Sequence, residues 1–214
     1  MPCDQFSHVT TWVFDLDNTL YPPEMGLFPQ IERKMTAWVM RHLGLDQPAA
    51  DALRRQYWHD HGTTLSGLML EHGIDPMAYL ADVHDVDFGV LRPAPDLAAT
   101  IARLPGRKII YTNADGAYAR KVLAARALEG LFDAIWAIED ADFHPKPQAK
   151  AFEVIFTKDG LDPRKAAMFE DDPKNLAVPH ALGLKTVHVA PEAHAAPHIH
   201  HHTADLHGFL TALV

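Results

Sequence analysis

The fold is decided by residues 11–19, which read TWVFDLDNT. The first four residues are apolar or favour β-structure, and they predict a short buried strand that ends at Phe14. Asp15, Asp17 and Thr19 follow at once, in the pattern Asp-x-Asp-x-Thr. The sequence therefore predicts a buried strand that delivers two carboxylates and a hydroxyl at its carboxyl end, which is where doubly wound α/β folds bind ligands.

From residue 92 to residue 214, short strand patterns alternate with helical patterns. Strands are predicted at 108–111, 134–136, 166–169 and 185–189, and helices at 96–104, 117–128, 148–158, 174–182 and 204–213. Such alternation is typical of βαβ units and a parallel sheet. We therefore predict an α/β protein with a doubly wound, Rossmann-like parallel-sheet core formed by residues 1–20 and 92–214.

Residues 21–91 show no strand pattern. Their apolar spacing predicts helices at 29–43, 48–60, 63–72 and 76–83. Segments rich in proline or glycine, at 21–26 and 91–95, flank these helices and are typical of linkers. We predict that residues 21–91 form an inserted α-helical cap that closes over the core.

Composition limits the classes of partner. The chain has 214 residues, 48% hydrophobic, and a net charge of −9, so its acidic surface argues against a nucleic acid polymer as partner. No apolar run reaches about 18 residues, and the N-terminus lacks a basic segment leading into an apolar one, so we predict no membrane span, no signal peptide and a cytoplasmic location. The single cysteine, Cys3, excludes an intramolecular disulfide and a cysteine-based zinc site. The oligomeric state stays unknown.

Polar groups also follow the other predicted strands. Thr112 and Asn113 come after the second strand, Lys146 lies beyond the third, and the segment 170–172, Glu-Asp-Asp, follows the fourth. Carboxylates that converge on one pocket repel one another and need a cation, and Mg²⁺ is the hard divalent ion that suits oxygen ligands. An aspartate beside such an ion can attack a phosphoryl group, while a second carboxyl moves a proton.

Together, the Asp-x-Asp-x-Thr motif, Thr112, Lys146 and the segment 170–172 resemble the four motifs of the haloacid dehalogenase (HAD) phosphatase superfamily. The position of the insertion resembles the subfamily with a helical cap. Residues 14–22, which read FDLDNTLYP, and residues 169–171, which read FED, are most similar to the pyrimidine 5′-nucleotidase branch.

The resemblance implies a role for each matching residue. Asp15 is implied to be the nucleophile and a metal ligand. Asp17 is implied to be the general acid and base, and to offer its backbone carbonyl to Mg²⁺. Lys146 is implied to steady the nucleophile and the phosphate, which Thr112 and Asn113 bind.

The resemblance also implies that Asp171 completes the metal site. Glu170 is a candidate ligand through water, Asp172 stands beside Asp171 as a further candidate, and Asn175 is implied to have a supporting role. The structural alternatives are that Asp115 and Asp172 are helix N-caps.

The function that the resemblance implies is Mg²⁺-dependent hydrolysis of a small phosphorylated metabolite through an aspartyl phosphate, with a pyrimidine nucleoside 5′-monophosphate as the specific expectation. The alternatives are another small phosphate ester, such as phosphoglycolate or a sugar phosphate, and a phosphomutase. A haloalkanoate dehalogenase has no need of a carboxyl at Asp17, which counts against it.

A non-catalytic metal-binding protein is the alternative from a different class. Eight of the 15 histidines lie from His180 onward, and imidazoles suit Zn, Ni and Cu. We favour the other interpretation of this segment, a polar surface loop that leads into a short terminal strand.

Overall fold

A six-stranded, all-parallel sheet forms the centre of the computed structural model, which describes residues 5–214. The expectations that rest on Cys3 lie outside these residues. In chain order the strands are β1 (Thr11–Phe14), β2 (Arg107–Tyr111), β3 (Ala134–Trp136), β4 (Ala166–Glu170), β5 (Lys185–Val189) and β6 (His201–Thr203). Their order across the sheet is β3-β2-β1-β4-β5-β6. The predicted doubly wound α/β fold is confirmed.

The central strand β1 is buried on both faces, which is why its sequence reads as a continuous apolar run. Trp12 and Phe14 pack into one hydrophobic cluster, and Val13 packs into a second cluster on the opposite face. Helices cover both faces, as a parallel sheet requires. Among the helices of residues 5–214, none has the length and apolar character needed to cross a bilayer.

Residues 92–214 contain the helices α5 (Pro95–Arg103), α6 (Gly116–Ala125), α7 (Ala149–Asp159), α8 (Ala177–Leu182) and α9 (Leu206–Thr211). Helix α6 is shorter than predicted because Ala127, with φ of 55°, leaves the helical conformation. The helix predicted at 174–182 is divided into a 3₁₀ turn, Pro173–Leu176, and α8.

The helices of the insertion are α1 (Phe28–Leu43), α2 (Gln47–His61), α3 (Thr64–His72) and α4 (Pro76–Val83). They agree with the predicted ranges to within one or two residues at each end. They share a hydrophobic cluster that includes Trp38, Tyr57, Leu68 and Tyr79, and Ile138 of the sheet-forming part joins it. We call residues 21–91 the helical cap; its bounds as a separate domain stay a prediction.

One buried arginine joins the two ends of the helical cap to the core. Arg126 Nε donates to the carbonyl of Leu20, 3.1 Å away, and its Nη1 donates to the carbonyl of Arg92. The backbone carbonyl of Arg126 accepts a hydrogen bond from Ala94 N at 2.9 Å. The chain therefore leaves and re-enters the core at the same place.

The histidine-rich segment is built into the edge of the sheet. His198 Nε2 donates to the carbonyl of Pro173 and His202 Nε2 donates to that of Ala190, both at 2.8 Å. Thr186 N donates to His200 Nδ1 at 3.1 Å. These bonds hold a loop that ends in β6, in agreement with the structural interpretation of this segment.

Candidate active site

The polar segments predicted at the strand ends meet at the carboxyl edge of β1, β2 and β4. Asp15 follows β1, and its amide donates to the carbonyl of Phe169 at 2.9 Å. Thr112 follows β2 and Glu170 is the last residue of β4. All three side chains are buried, with exposures of 5%, 1% and 1% for Asp15, Thr112 and Glu170. Neighbouring parallel strands thus bring distant parts of the sequence together.

Lys146 lies at the centre of the site. Its Nζ donates to Asp15 Oδ1 at 2.7 Å, to Glu170 Oε2 at 2.6 Å and to the carbonyl of Tyr111 at 3.1 Å. The side chain is 1% exposed. Burial alone would lower the pKa of Lys146, but the two carboxylates outweigh it and raise that pKa, so the ammonium stays charged.

Three carboxylates surround this single cation. Oxygens of Asp15, Glu170 and Asp171 lie within 4.8 Å of one another. Burial, and next the charge of Glu170, raise the pKa values of Asp15 and Asp171. Asn18 Nδ2 donates to Asp171 Oδ2 at 3.3 Å and orients that carboxyl. The three carboxyl groups outnumber the single ammonium of Lys146, so ionising all three would leave excess negative charge at this site.

The donor atoms fit a hard divalent cation. Every member of the cluster offers an oxygen, the ligand type that Mg²⁺ prefers. Asn18 Oδ1 and Thr19 Oγ1, next to the cluster in sequence, are buried and have no hydrogen-bond partner among the described residues. The chemistry of the donor set therefore agrees with the Mg²⁺ prediction.

Asp17 has a different environment from the other carboxylates. Its Oδ1 accepts hydrogen bonds from Tyr21 Oη and Tyr118 Oη, both at 2.6 Å. Burial raises the pKa of Asp17, while the two tyrosine hydroxyls act in the opposite direction. Its carboxyl does not belong to the three-acid cluster of the described residues.

The two residues predicted to bind phosphate have structural bonds of their own. Asn113 Nδ2 donates to the carbonyl of Lys146 at 3.1 Å, and its Oδ1 accepts from Lys146 N at 2.8 Å. Thr112 Oγ1 accepts from Ala114 N at 3.0 Å. Both residues line the same cavity as Asp15. The Asn113 side chain thus fixes the backbone that carries Lys146, and its phosphate contact stays a prediction.

The predicted capping roles are confirmed. Asp115 Oδ1 accepts from Tyr118 N at 2.9 Å, at the start of α6. Asp172 Oδ1 accepts from Lys174 N, also at 2.9 Å, at the start of the 3₁₀ turn. Asn175 lies in that turn, buried, and lines the cavity.

A cavity of about 1330 Å³ lies between these residues and the helical cap. Its cap side includes Thr36, Arg54 and Trp58. Trp58 is 47% exposed, and Lys174 Nζ lies 3.9 Å from the centre of its ring.

The helical cap also touches the loop that carries the lysine. A Cβ atom at Gly62, whose φ is +87°, would lie 3.4 Å from Pro145 Cγ and 3.6 Å from the carbonyl oxygen of Lys146. The end of α2 therefore lies in van der Waals reach of this loop, and the positive φ at the turn favours glycine at position 62.

A second contact between cap and core involves His84, just after α4. Its Nδ1 lies 2.5 Å from Asp115 Oδ2, and its ring stacks on Tyr118 with the centroids 4.2 Å apart. Sequence reasoning missed Tyr21, Tyr118 and His84 as site residues. Tyr21 could have been considered from the sequence, because it follows Asp17 by only four residues. No local pattern marks Tyr118 or His84.

Comparison with known proteins gives one family. The family model described as haloacid dehalogenase-like hydrolase matches residues 9–183. The phosphate metabolism protein 8 of Saccharomyces cerevisiae is 25% identical over 191 residues, which cover 82% of this chain. The match covers 59% of the yeast protein, so the chain spans less than two thirds of that relative.

Solved structures share the fold at low identity. A HAD phosphatase from Thermococcus onnurineus has a TM-score of 0.63 at 16% identity and covers 96% of this chain and 98% of its own. The HAD hydrolase YfnB from Bacillus subtilis, solved with magnesium bound, has a TM-score of 0.62 at 18% identity, with 96% and 98% covered. An L-2-haloacid dehalogenase from Xanthobacter autotrophicus has a TM-score of 0.54 at 17% identity, with 86% and 79% covered.

Proposed function

Because the chain belongs to the haloacid dehalogenase-like hydrolase family, we propose that it is a Mg²⁺-dependent phosphomonoester hydrolase that acts on a small metabolite through an aspartyl phosphate. The observation that carries this proposal is the bonding of Lys146. Its ammonium holds Asp15 at 2.7 Å, inside a group of three carboxylates of which Asp15 and Glu170 are buried and Asp171 is half-buried, at the floor of a cavity. Such a group attracts a divalent cation and, through it, a dianionic phosphate.

Mg²⁺ would be held by Asp15, Asp171 and the backbone carbonyl of Asp17, with Glu170 as a ligand direct or through water. When bound, Mg²⁺ offsets the charge of the carboxylates and of the phosphate oxygens, so that an anionic nucleophile can approach an anionic substrate.

The residues of the chain then divide the chemistry. Asp15 attacks phosphorus, and the bond from phosphorus to the ester oxygen breaks. Asp17 gives a proton to that leaving oxygen, and later takes one from the water that hydrolyses the aspartyl phosphate. Lys146 keeps Asp15 in place and neutralises charge on the phosphate, which Thr112 and the backbone around Asn113 bind.

The cavity supports a substrate of nucleotide size. Its volume of about 1330 Å³ exceeds what a phosphate needs, so the helical cap surrounds the leaving group. Trp58 presents a half-exposed ring there, which suits a flat base. With the likeness of residues 14–22 to pyrimidine 5′-nucleotidases, this favours UMP or CMP as the first substrates to test. Phosphoglycolate, sugar phosphates and mutase chemistry are the alternatives.

Two other classes of protein, a haloalkanoate dehalogenase and a non-catalytic metal-binding protein, have less support. Likeness to L-2-haloacid dehalogenases at 17% identity concerns the fold alone, and Asp17 has no task in attack on carbon. A transition-metal protein would need several imidazoles grouped around one ion, yet the group of metal-ligand atoms found among residues 5–214 is that of Asp15, Glu170 and Asp171, which contains no histidine.

The experiment is to measure phosphate release from UMP, CMP, AMP, phosphoglycolate, sugar phosphates and pyridoxal phosphate, with Mg²⁺ and with EDTA. Release that needs Mg²⁺ and favours UMP or CMP is the expected result. Release from other esters alone would contradict the nucleotidase proposal and leave the proposal of a phosphatase standing. No release from any ester, with isomerised sugar phosphate as the product, would replace hydrolysis by a mutase reaction.

A further inference from the structure

The two oxygens of the Asp17 carboxyl have unequal surroundings. Oδ1 accepts two short hydrogen bonds, from Tyr21 and from Tyr118. Oδ2 has no hydrogen-bond partner among the described residues, and Asp17 lines the cavity that also holds Asp15. One oxygen is therefore fixed by the protein and the other is left for a ligand.

The two tyrosines are themselves held in place. Their hydroxyl oxygens lie 3.5 Å apart, and each hydroxyl has a single proton, which the bond to Asp17 uses. Both tyrosines are 1% exposed. The Tyr118 ring stacks on His84 of the helical cap, and His84 is bonded to Asp115 at the start of α6.

We propose that Tyr21 and Tyr118 are positioning residues that make Asp17 Oδ2 the atom that gives the proton to the leaving group. The inference rests on the proposed function. Because Oδ1 already accepts two O–H donors, a proton on Asp17 resides on Oδ2. We call the two tyrosine hydrogen bonds to Oδ1 the clamp; they fix the orientation of the carboxyl and so the direction in which that proton points. As the P–O ester bond breaks, the leaving oxygen takes the proton from Oδ2 while Asp15 forms the new bond to phosphorus.

The inference predicts that the loss of rate on removing the tyrosine hydroxyls depends on the leaving group of the substrate. An alkyl oxide needs the proton as it leaves, whereas 4-nitrophenolate is stable without it. Loss of the clamp should therefore slow hydrolysis of an alkyl ester far more than that of 4-nitrophenyl phosphate. A general decrease in folding or in Mg²⁺ binding would slow both alike.

The test compares Tyr21→Phe, Tyr118→Phe and the double variant with wild type. For each protein, kcat/KM is measured on 4-nitrophenyl phosphate and on the alkyl monoester that wild type hydrolyses fastest. Asp17→Asn gives the limit of the effect. Tyr57→Phe is the matched control, because Tyr57 is a buried cap tyrosine whose hydroxyl bonds to His72 and which does not line the cavity.

We expect the double variant to lose roughly 10- to 100-fold on the alkyl ester, within the range of general acid catalysis, and less than about 3-fold on 4-nitrophenyl phosphate. Tyr57→Phe should leave the ratio of the two values unchanged. Equal losses on both esters, or no loss, would overturn the inference and leave the phosphatase proposal standing. A wild type that hydrolyses neither ester would overturn both.

Discussion

The replacement Lys146→Met tests how much the Lys146 ammonium stabilises the folded protein by offsetting the repulsion between the carboxylates of the site. Methionine keeps the length of the side chain but leaves Asp15 and Glu170 facing each other without the cation that now binds both. Two full charges within 4.8 Å of each other repel by at least about 3.5 kcal/mol at an effective dielectric constant of about 20. Removing one partner from a buried ion pair costs about 3–5 kcal/mol in general.

We therefore expect urea unfolding without metal to show a free energy of unfolding about 3–5 kcal/mol below that of wild type. Added Mg²⁺ should reduce the difference, because it supplies positive charge to the same carboxylates. Lys150→Met is the matched control, since Lys150 is exposed and its pair with Glu153 is of the surface kind, worth about 0–1 kcal/mol. A Lys146→Met protein as stable as the control variant, with or without Mg²⁺, would refute this account of the site.

Four more outcomes are expected. Asp15→Asn should keep the fold and abolish turnover, and phosphate release at more than about 1% of the wild-type rate would contradict covalent catalysis. Partial burial lowers the pKa values of His200 and His201, so below about pH 6.5 the unfolded chain binds protons that the folded chain does not; the free energy of unfolding should therefore decrease as the pH is lowered, and this dependence should be shallower in His200→Asn. The triple change of residues 200–202 to alanine should leave turnover at neutral pH intact. Arg126→Met should cost about 1–3 kcal/mol in urea unfolding, since it frees the buried Leu20 carbonyl, whereas Arg103→Met, on an exposed side chain, should not.

The parts of the site that lie directly at strand ends could be predicted from the sequence. The apolar run before Asp15 and the one before Glu170 mark their own strands, and parallel strands end at one edge. The sequence also placed Lys146 ahead of a helix. It could not show that the ammonium would bond to both Asp15 and Glu170, because these partners are 131 and 24 residues away.

The contacts that escaped sequence analysis depend on packing between distant helices. Tyr118 reaches Asp17 across 101 residues, and His84 reaches Asp115 across 31. Each of these positions is ordinary in its local pattern. The short terminal strand expected after the polar loop is β6, but its place in the sheet could not be predicted, because its His-His-Thr sequence has no apolar alternation and its position depends on bonds to β5.

The attachment of the helical cap at Arg126 has a consequence for how such a protein can evolve. Strands β1 and β2 pair directly, residue by residue from Thr11 with Arg107, so the sheet is continuous whatever lies between them in the chain. With both ends of the insertion anchored at one arginine, the insertion can be lengthened, shortened or exchanged without disturbing that pairing. An exchanged cap would have to rebuild its packing against the core, including its contacts at Tyr118 and at the Lys146 loop. Substrate choice can therefore diverge between lineages while the reacting groups stay the same.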